Sequence, residues 1–343
     1  MPKDKIIAFD FLRVFAIFSV IVLHTSAELF LNSFSSYDWT ISNVYEAFSR
    51  WNVPIFFMIS GALFLRKDKI LNIKKLYSKN ILRIISIFLC WSLVYALLIP
   101  SYKYDLKYLL YEVLLGPFHF WFLKVLIGLY IAIPIYKHIV SNKNLEIYFL
   151  YIAFFLGILL PSVLPLIGLI NNPLEIFLIN FYESFNIKIA STYSFYFVLG
   201  HYLIEYPIKN SYKCLIYILG AISPFIVMLS THYISFRNNA PISLFLENSF
   251  LCTALEAIAI FVFFTSRHKF GKINYIFEKL SSKVLGIYIV HILVMWILSE
   301  NGIKPNTYSA SFFIPIYSLM VFIISYIVVA ILQKIPFIKK WLI

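Results

Sequence analysis

Charged residues are scarce in this sequence. Asp, Glu, Lys and Arg make up 13% of its 343 residues, whereas soluble domains carry about 25%. In their place, 61% of the residues are hydrophobic, and the mean hydropathy is +0.84. This composition excludes an ordinary soluble protein and predicts an all-α polytopic membrane protein, a bundle of transmembrane helices.

Cysteine and glycine are also rare, with 3 and 10 residues respectively. Cys90, Cys214 and Cys252 stand alone in apolar segments, without the spacing of a metal site or a disulfide framework. We interpret them as buried apolar thiols and expect no bound metal. The sequence also lacks a glycine-rich phosphate loop and a nucleophile elbow, so neither chemistry is favoured.

Basic residues outnumber acidic ones: the sequence has 29 Lys and Arg but only 16 Asp and Glu, which gives a net charge of +13. Such a charge serves either nucleic-acid binding or contact with an anionic membrane, and its distribution decides between them.

The mixed stretch 171–191 is compatible with an interfacial helix. The apolar segments predict ten membrane spans, at about 6–28, 46–65, 82–99, 120–137, 147–169, 191–205, 214–231, 244–264, 284–299 and 311–332.

The positive-inside rule predicts the orientation of these spans. With the N-terminus in the cytoplasm, 21 of the 29 Lys and Arg fall in cytoplasmic segments, six fall in outer loops, and Arg13 and Lys124 lie within spans. We therefore predict cytoplasmic termini, basic loops that face the anionic inner leaflet, and no nucleic-acid partner. The N-terminal segment is interpreted as an uncleaved first span of a single domain, residues 1–343.

The first span contains three residues that are costly in lipid: Asp10, Arg13 and His24. On a helix Arg13 and His24 lie about 20° from alignment and about 16 Å apart along the axis, and Asp10 lies about 60° from Arg13. The shared stripe predicts a functional cavity, with Arg13 near the cytoplasm and His24 near the outer face. The alternative is a local ion pair of Asp10 and Arg13 at the membrane surface, with His24 in the opposite interface.

Two side-chain types in this stripe suit particular chemistry. Arginine recognises phosphate through its planar guanidinium group, and histidine is best suited to proton transfer near neutral pH. Lys79 and Arg83 enter the third span from the most basic loop, either as phosphate contacts or as ordinary positive-inside anchors. His119 begins the fourth span at the predicted depth of His24, and the alternative there is a surface histidine.

Further polar and aromatic residues occupy later spans. Glu256 lies in the middle of the eighth span and His291 in the middle of the ninth. The two side chains can satisfy one another or a third partner, so a structural hydrogen bond and a ligand contact are equally consistent with their positions. Trp121 is typical of interfacial anchoring, and we interpret His201 as interfacial too.

The order of these residues resembles that of the membrane acyltransferase-3 family. The most specific element is Asp10, Arg13 and His24, with ten residues between the arginine and the histidine. Three shorter segments support the resemblance: 53–61 (VPIFFMISG), 119–123 (HFWFL) and 286–291 (GIYIVH). In the first of these, Pro54 and Gly61 also indicate a kink or a close helix contact. The resemblance covers nearly the whole chain and is to the stand-alone form of the family.

The resemblance implies a multi-pass O-acyltransferase of the bacterial cytoplasmic membrane. It implies transfer of an acyl group, in the first place acetyl from acetyl-CoA, to a hydroxyl of a cell-surface polysaccharide or a lipid-linked glycan. His24 is then the general base or a transient acyl carrier, and Asp10 orients or neutralises Arg13. The donor phosphates are expected near Arg13, Lys79 and Arg83. The substrate-side candidates are His119, Trp121, Glu256 and His291.

One position departs from the family pattern. The family often shows Arg-x-x-Arg at the start of the third span, where this chain has Asn80, Ile81, Leu82 and Arg83, preceded by Lys79. Lysine is not equivalent to arginine at a bidentate site, which leaves the donor contact and the choice of acyl group open.

A second class of function also fits a polar stripe in a membrane protein. A transporter or flippase for a glycolipid or polysaccharide would line its pathway in the same way and would need no acyl donor. The sequence shows no clear pair of glycine- or proline-broken spans of the kind that transporters use. Binding of a CoA thioester that depends on Arg13 and Arg83 would distinguish the two.

Overall fold

The computed structural model describes residues 3–68, 70–99, 106–170, 172–184, 191–266 and 274–343, except for the side chains of 3–6. Within these ranges the chain is helical and forms no strand. The helices are α1 (Lys3–Asn32), α2 (Tyr37–Ser49), α3 (Asn52–Phe64), α4 (Ile73–Lys75), α5 (Leu82–Leu98), α6 (Leu106–Leu115), α7 (Trp121–Ile131), α8 (Ile133–Ser141), α9 (Lys143–Phe154), α10 (Leu160–Gly168), α11 (Asn172–Ser184), α12 (Thr192–Glu205), α13 (Asn210–Asn238), α14 (Leu251–Thr265), α15 (Asn274–Ser281), α16 (Val284–Glu300), α17 (Ala310–Leu332) and α18 (Pro336–Trp341).

The all-α fold class is confirmed, and the helices of this membrane protein include several that are long enough to cross a bilayer. Two bent helix pairs add to them, Leu106–Leu115 with Phe118–Ile131 and Asn274–Ser281 with Val284–Glu300. With these pairs the described residues hold up to eight spans. The six continuous ones are Ile7–Asn32, Ile73–Leu98, Lys143–Gly168, Asn210–Asn238, Leu244–Thr265 and Ala310–Leu332.

Two of the predicted spans coincide with short helices. The prediction 46–65 covers the end of α2 and all of α3, and the prediction 191–205 covers α12. Helices α3 and α12 have 13 and 14 residues. At 1.5 Å per residue they are about 20 Å long, less than the roughly 30 Å hydrocarbon core. The count of ten spans, the cytoplasmic termini and the single domain therefore stay predictions.

Parts of the orientation prediction lie outside the described residues. They concern six basic residues: Lys69, Lys103, Lys188, Arg267, Lys269 and Lys272. The stretch 171–191, predicted to be compatible with an interfacial helix, contains α11, and its residues 171 and 185–190 are also outside the described part.

Local capping explains why α1 and α2 are separate helices. The Ser36 hydroxyl accepts a hydrogen bond from the backbone N–H of Trp39 at 3.0 Å, which starts α2 a few residues after α1 ends. Asn142 starts α9 in the same way, since its side chain accepts from Asn144 N at 2.9 Å. Such side-chain acceptors satisfy the free N–H groups of a first helical turn. The α2 helix was not anticipated, because the predicted span 46–65 merged its end with α3.

Helix α1 lies at the centre of the bundle. It packs against α2, α3, α14, α15, α16 and α17. Its fully buried side chains include Leu12, Ile17 and Ile21, which join the main hydrophobic core. This central position brings the polar stripe of α1 to the interior of the protein.

Helices α3 and α12 cross at two glycines. A Cβ atom added at Gly61 would lie 1.6 Å from the Phe197 carbonyl oxygen, and one added at Gly200 would lie 2.0 Å from the Met58 carbonyl oxygen. Only glycine permits so close an approach of two backbones. The close helix contact predicted at Gly61 is therefore confirmed.

The interpretation of two of the three cysteines as buried thiols was wrong, whereas the interfacial position of His201 stays a prediction. Cys90 and Cys214 are exposed at the protein surface, and only Cys252 is buried. His201 is also buried, and its Nδ1 pairs with Glu146 Oε1 at 2.8 Å. An apolar neighbourhood in the sequence does not distinguish a core-facing residue from one on the lipid-facing side of a helix.

Candidate active site

A cavity of about 430 Å³ lies beside α1. Its walls come from α1, the α2–α3 turn, α3, α7 and the two helices of the bent pair α15–α16. The polar and aromatic residues that line it include Arg13, His24, Arg50, His119, Trp121 and Tyr288. The stripe predicted on the first span therefore faces a cavity.

Arg13 occupies one end of the stripe. Its Nη1 lies 3.3 Å from Asp10 Oδ1, and the Ser281 hydroxyl donates to the same carboxylate oxygen at 2.7 Å. Tyr130 also lines the cavity and interacts with Arg13 and with the Ser60 hydroxyl. The local ion pair and the cavity, which the sequence offered as alternatives, both occur. Because one carboxylate pairs with one guanidinium nitrogen, other N–H groups of Arg13 are available to a ligand.

Three histidines from distant parts of the chain meet at the other end. The ring centroids of His24 and His291 are 5.3 Å apart, and those of His119 and His291 are 5.4 Å apart. We call His24, His119 and His291 the histidine cluster. Helix α1, the short 3-10 turn before α7, and α16 contribute one residue each.

Hydrogen bonds hold two members of the cluster in place. His291 Nδ1 lies 2.7 Å from the Tyr288 carbonyl oxygen, which can only accept, so Nδ1 carries the proton. The Tyr288 hydroxyl donates to the His119 carbonyl oxygen at 2.5 Å. His291 Nε2 and both ring nitrogens of His119 are buried and find no hydrogen-bond partner among the described residues. Buried polar atoms without a partner are rare in proteins. Here His119 lines the cavity, and His291 contacts two residues that line it, His24 and His119.

Arg50 is a cavity residue that the sequence did not single out. It forms an ion pair with Glu46, which is fully buried and accepts a hydrogen bond from Ser26 Oγ at 3.0 Å. Arg50 Nε has no partner within the described structure. Arg50 is one of the six basic residues that the orientation prediction placed in outer loops, although it falls within the predicted span 46–65. The signal that could have found it is the i,i+4 spacing of opposite charges where a span was predicted to begin.

Three predicted site residues lie away from this cavity. Lys79 is exposed on a π-helical turn before α5. Arg83 donates from Nη2 to the Ile343 carbonyl oxygen at 2.6 Å. Glu256 is buried on α14. No hydrogen bond joins Glu256 to His291 in the described residues: His291 Nδ1 bonds to the Tyr288 carbonyl oxygen, and His291 Nε2 has no partner. Arg13, His24, His119 and Trp121 line the cavity, and Asp10 and His291 contact Arg13 and His24 from outside its lining.

The arrangement separates two kinds of chemistry along one helix. Arg13 presents a cation suited to an anionic group, and the histidine cluster presents imidazoles suited to proton transfer. The two ends are about 16 Å apart along α1. No group of three His, Cys, Asp or Glu side chains in the described ranges is arranged to hold a metal ion.

Comparison with known families matches residues 6–330 to the acyltransferase-3 model, described as an acyltransferase domain. Comparisons with curated proteins and with solved structures found no match. The matched region includes α1 with its polar stripe, the two bent pairs and α16. The chain therefore belongs to the membrane acyltransferase-3 family.

Proposed function

We propose that the protein is an integral membrane O-acyltransferase that moves an acetyl group from cytoplasmic acetyl-CoA to a hydroxyl of a cell-surface polysaccharide or a lipid-linked glycan. Membership of the acyltransferase-3 family supports acyl transfer. The observation that carries the proposal is the cavity with Arg13 at one end of a helical stripe and His24 at the other.

The donor binds with its anionic part towards Arg13. Asp10, whose carboxylate accepts a hydrogen bond from Ser281, holds the guanidinium group in place while it pairs with phosphate. The pantetheine arm then runs along α1 and brings the thioester to His24. Lys79 and Arg83 lie outside the cavity, and their contact with the donor stays a prediction that the binding measurement below examines separately.

His24 acts as the general base. It accepts the proton of the acceptor hydroxyl, whose oxygen attacks the thioester carbonyl carbon. The new C–O bond forms, the C–S bond breaks, and the proton passes from His24 to the departing thiolate, so that an ester and free CoA result. Arg50 interacts electrostatically with His24, and its unpartnered Nε is a donor for the oxyanion of the intermediate.

The remaining predicted residues belong to the acceptor side of this scheme. His119 and His291 adjoin His24, and Trp121 lines the same cavity. In a variant of this mechanism His24 carries the acyl group transiently, and a labelled acetyl group from acetyl-CoA then stays on the protein. Glu256 is outside the cavity and stays a prediction.

Acyl transfer in reconstituted vesicles tests the proposal. Wild-type protein receives acetyl-labelled acetyl-CoA and a membrane glycan and glycolipid extract of the source organism. We expect label in the glycan or glycolipid fraction with wild type and with the control His138→Ala, whose side chain is exposed. We expect at least a hundredfold loss with His24→Ala, the lower range for loss of a general base. Acyl transfer at the wild-type rate by a folded His24→Ala protein would refute the role of His24.

One structural observation favours the alternative, a glycolipid or polysaccharide transporter. The pairs α6–α7 and α15–α16 are bent by 45° and 63° and adjoin the cavity, although the sequence showed no clear broken spans. Discontinuous helices frame the binding sites of many transporters. Acetyl-CoA binding discriminates: the acyltransferase binds it and loses affinity on Arg13→Ala, with Lys79→Ala and Arg83→Ala measured in parallel. A transporter of this kind does not bind acetyl-CoA.

A further inference from the structure

A second cavity, of about 290 Å³, lies next to the histidine cluster. Helices α5, α6 and α16 and the turn before α7 line it, through residues that include Ser92, Tyr95, Glu112, Pro117, Phe118 and Ile292. We propose that this second cavity binds a sugar ring of the acceptor. The inference rests on the proposed function and assigns its acceptor site.

The position of the second cavity places a ligand next to the reacting group. Phe118 lines this cavity, whereas its neighbour His119 lines the first one. The Phe118 ring lies 5.5 Å from that of His24, and the Tyr95 ring lies 5.3 Å from that of His119. His24 and His119 thus line the first cavity and contact the Phe118 and Tyr95 rings of the second. A transferase with two substrates needs this arrangement, because both must reach the same catalytic group.

The lining offers the contacts that a hydroxylated ring requires. Ser92 is 1% exposed, and its hydroxyl finds no partner among the described residues. Glu112 adds a carboxylate acceptor. Phe118, 67% exposed, presents an apolar face to the C–H side of a sugar. The Tyr95 hydroxyl already bonds Ile289 O and Leu293 N, so Tyr95 supplies its ring.

The loop between α6 and α7 packs closely against Ser92. Gly116 has a φ of +69°, a conformation that favours glycine. A Cβ atom there would lie 2.9 Å from Ser92 Oγ and 2.8 Å from the Phe88 ring. Any larger residue would therefore press against the unpartnered Ser92 hydroxyl and the wall of the cavity.

Charge argues against the donor as the occupant. The described residues that line the second cavity include no Lys or Arg, and Glu112 would repel the phosphates of acetyl-CoA. The first cavity contains Arg13 and Arg50. The charge of the first cavity thus suits an anionic donor, and that of the second cavity suits a neutral sugar acceptor.

Steady-state kinetics in reconstituted vesicles tests the inference. The substrates are labelled acetyl-CoA and the membrane glycan and glycolipid extract of the source organism, each varied in turn. We expect Phe118→Ala and Glu112→Gln to raise the KM for the extract at least tenfold while the KM for acetyl-CoA stays as in wild type. Ser92→Ala removes a single oxygen atom and should raise the same KM by a smaller factor.

Matched controls are Phe312→Ala and Glu300→Gln, whose side chains are exposed and line neither cavity. An unchanged KM for the extract in all three cavity variants, with folding verified by thermal unfolding, would overturn the inference. An equal rise in the KM for acetyl-CoA would overturn it as well, since the second cavity would then serve the donor. Absence of acyl transfer by the wild type would instead refute the proposed function, and the inference with it.

Discussion

At the scale of single residues, the histidine cluster has the most direct chemical consequence. His24 faces the first cavity, and His291 lies between His24 and His119. His291 Nδ1 is engaged by a backbone carbonyl group, so the neutral ring keeps Nε2 as a proton acceptor. That nitrogen is buried with no partner in the described structure, next to the proposed general base.

We predict that His291→Gln slows acyl transfer without weakening donor binding. Removal of a group that positions His24 or shares its proton should lower kcat by roughly ten- to a hundredfold, below the loss expected for the base itself. The measurement is kcat and the KM for acetyl-CoA in vesicles, with His138→Ala as the control. A kcat within about twofold of wild type would contradict the prediction.

A second residue-scale prediction concerns the buried ion pair of Glu46 and Arg50. Glu46→Ala leaves the Arg50 guanidinium without its carboxylate, which typically costs about 3–5 kcal/mol of the free energy of unfolding. We expect a lower thermal unfolding temperature in detergent. Asp68→Ala, which removes the exposed partner of Arg66, is the control and should change nothing measurable. Equal behaviour of the two variants would speak against a structural role of the buried pair.

At the scale of helices, α1 brings its stripe into the bundle, and α3, which crosses α12, forms part of the wall of the first cavity. The crossing depends on two residues without side chains, Gly61 and Gly200. Val53, Phe56 and Ser60 of α3 line the first cavity, so the distance between α3 and α12 affects its shape.

We predict that Gly61→Ala destabilises the protein, because the added methyl group would overlap the Phe197 carbonyl group. Overpacking of this kind costs about 1–3 kcal/mol or more. Gly128→Ala is the matched control: its added methyl group meets nothing within 4 Å. That change should be neutral or stabilise helix α7 by roughly 0.5–1 kcal/mol. Thermal unfolding in detergent measures both, and a Gly61→Ala protein as stable as wild type would be inconsistent with the close crossing.

At the scale of the whole molecule, one hydrophobic core runs from α1 to Ile343, and a polar site lies within it. The described helices are long enough for six to eight spans, and the number and direction of the spans depend on their placement in a bilayer. The proposed direction of acyl transfer depends on that orientation, since acetyl-CoA is cytoplasmic.

Cysteine accessibility measures the orientation. In a background without Cys90, Cys214 and Cys252, we predict that Asn306→Cys reacts with a membrane-impermeant maleimide on intact cells. Lys74→Cys should react only after permeabilisation. Both positions are exposed, so accessibility of the thiol depends on the side of the membrane alone. The reverse pattern would invert the predicted topology and place Arg13 at the outer face.

The sequence alone determined the class of the protein and the polar stripe on α1. Apolar length and charge distribution predict membrane helices, and the fixed helical period aligns Asp10, Arg13 and His24 whatever surrounds them. The motifs around His119 and His291 supported the family, which the comparison with family models confirmed.

Tertiary structure decided which distant residues join that stripe. It brought His119 and His291 to His24 and recruited Arg50, while it left Lys79, Arg83 and Glu256 outside the first cavity. The alignment of side chains along one helix follows from the helical period of that segment alone and does not depend on the other helices. Contacts between helices depend on which faces pack together, and a uniformly apolar segment does not reveal which of its sides faces the core and which faces lipid.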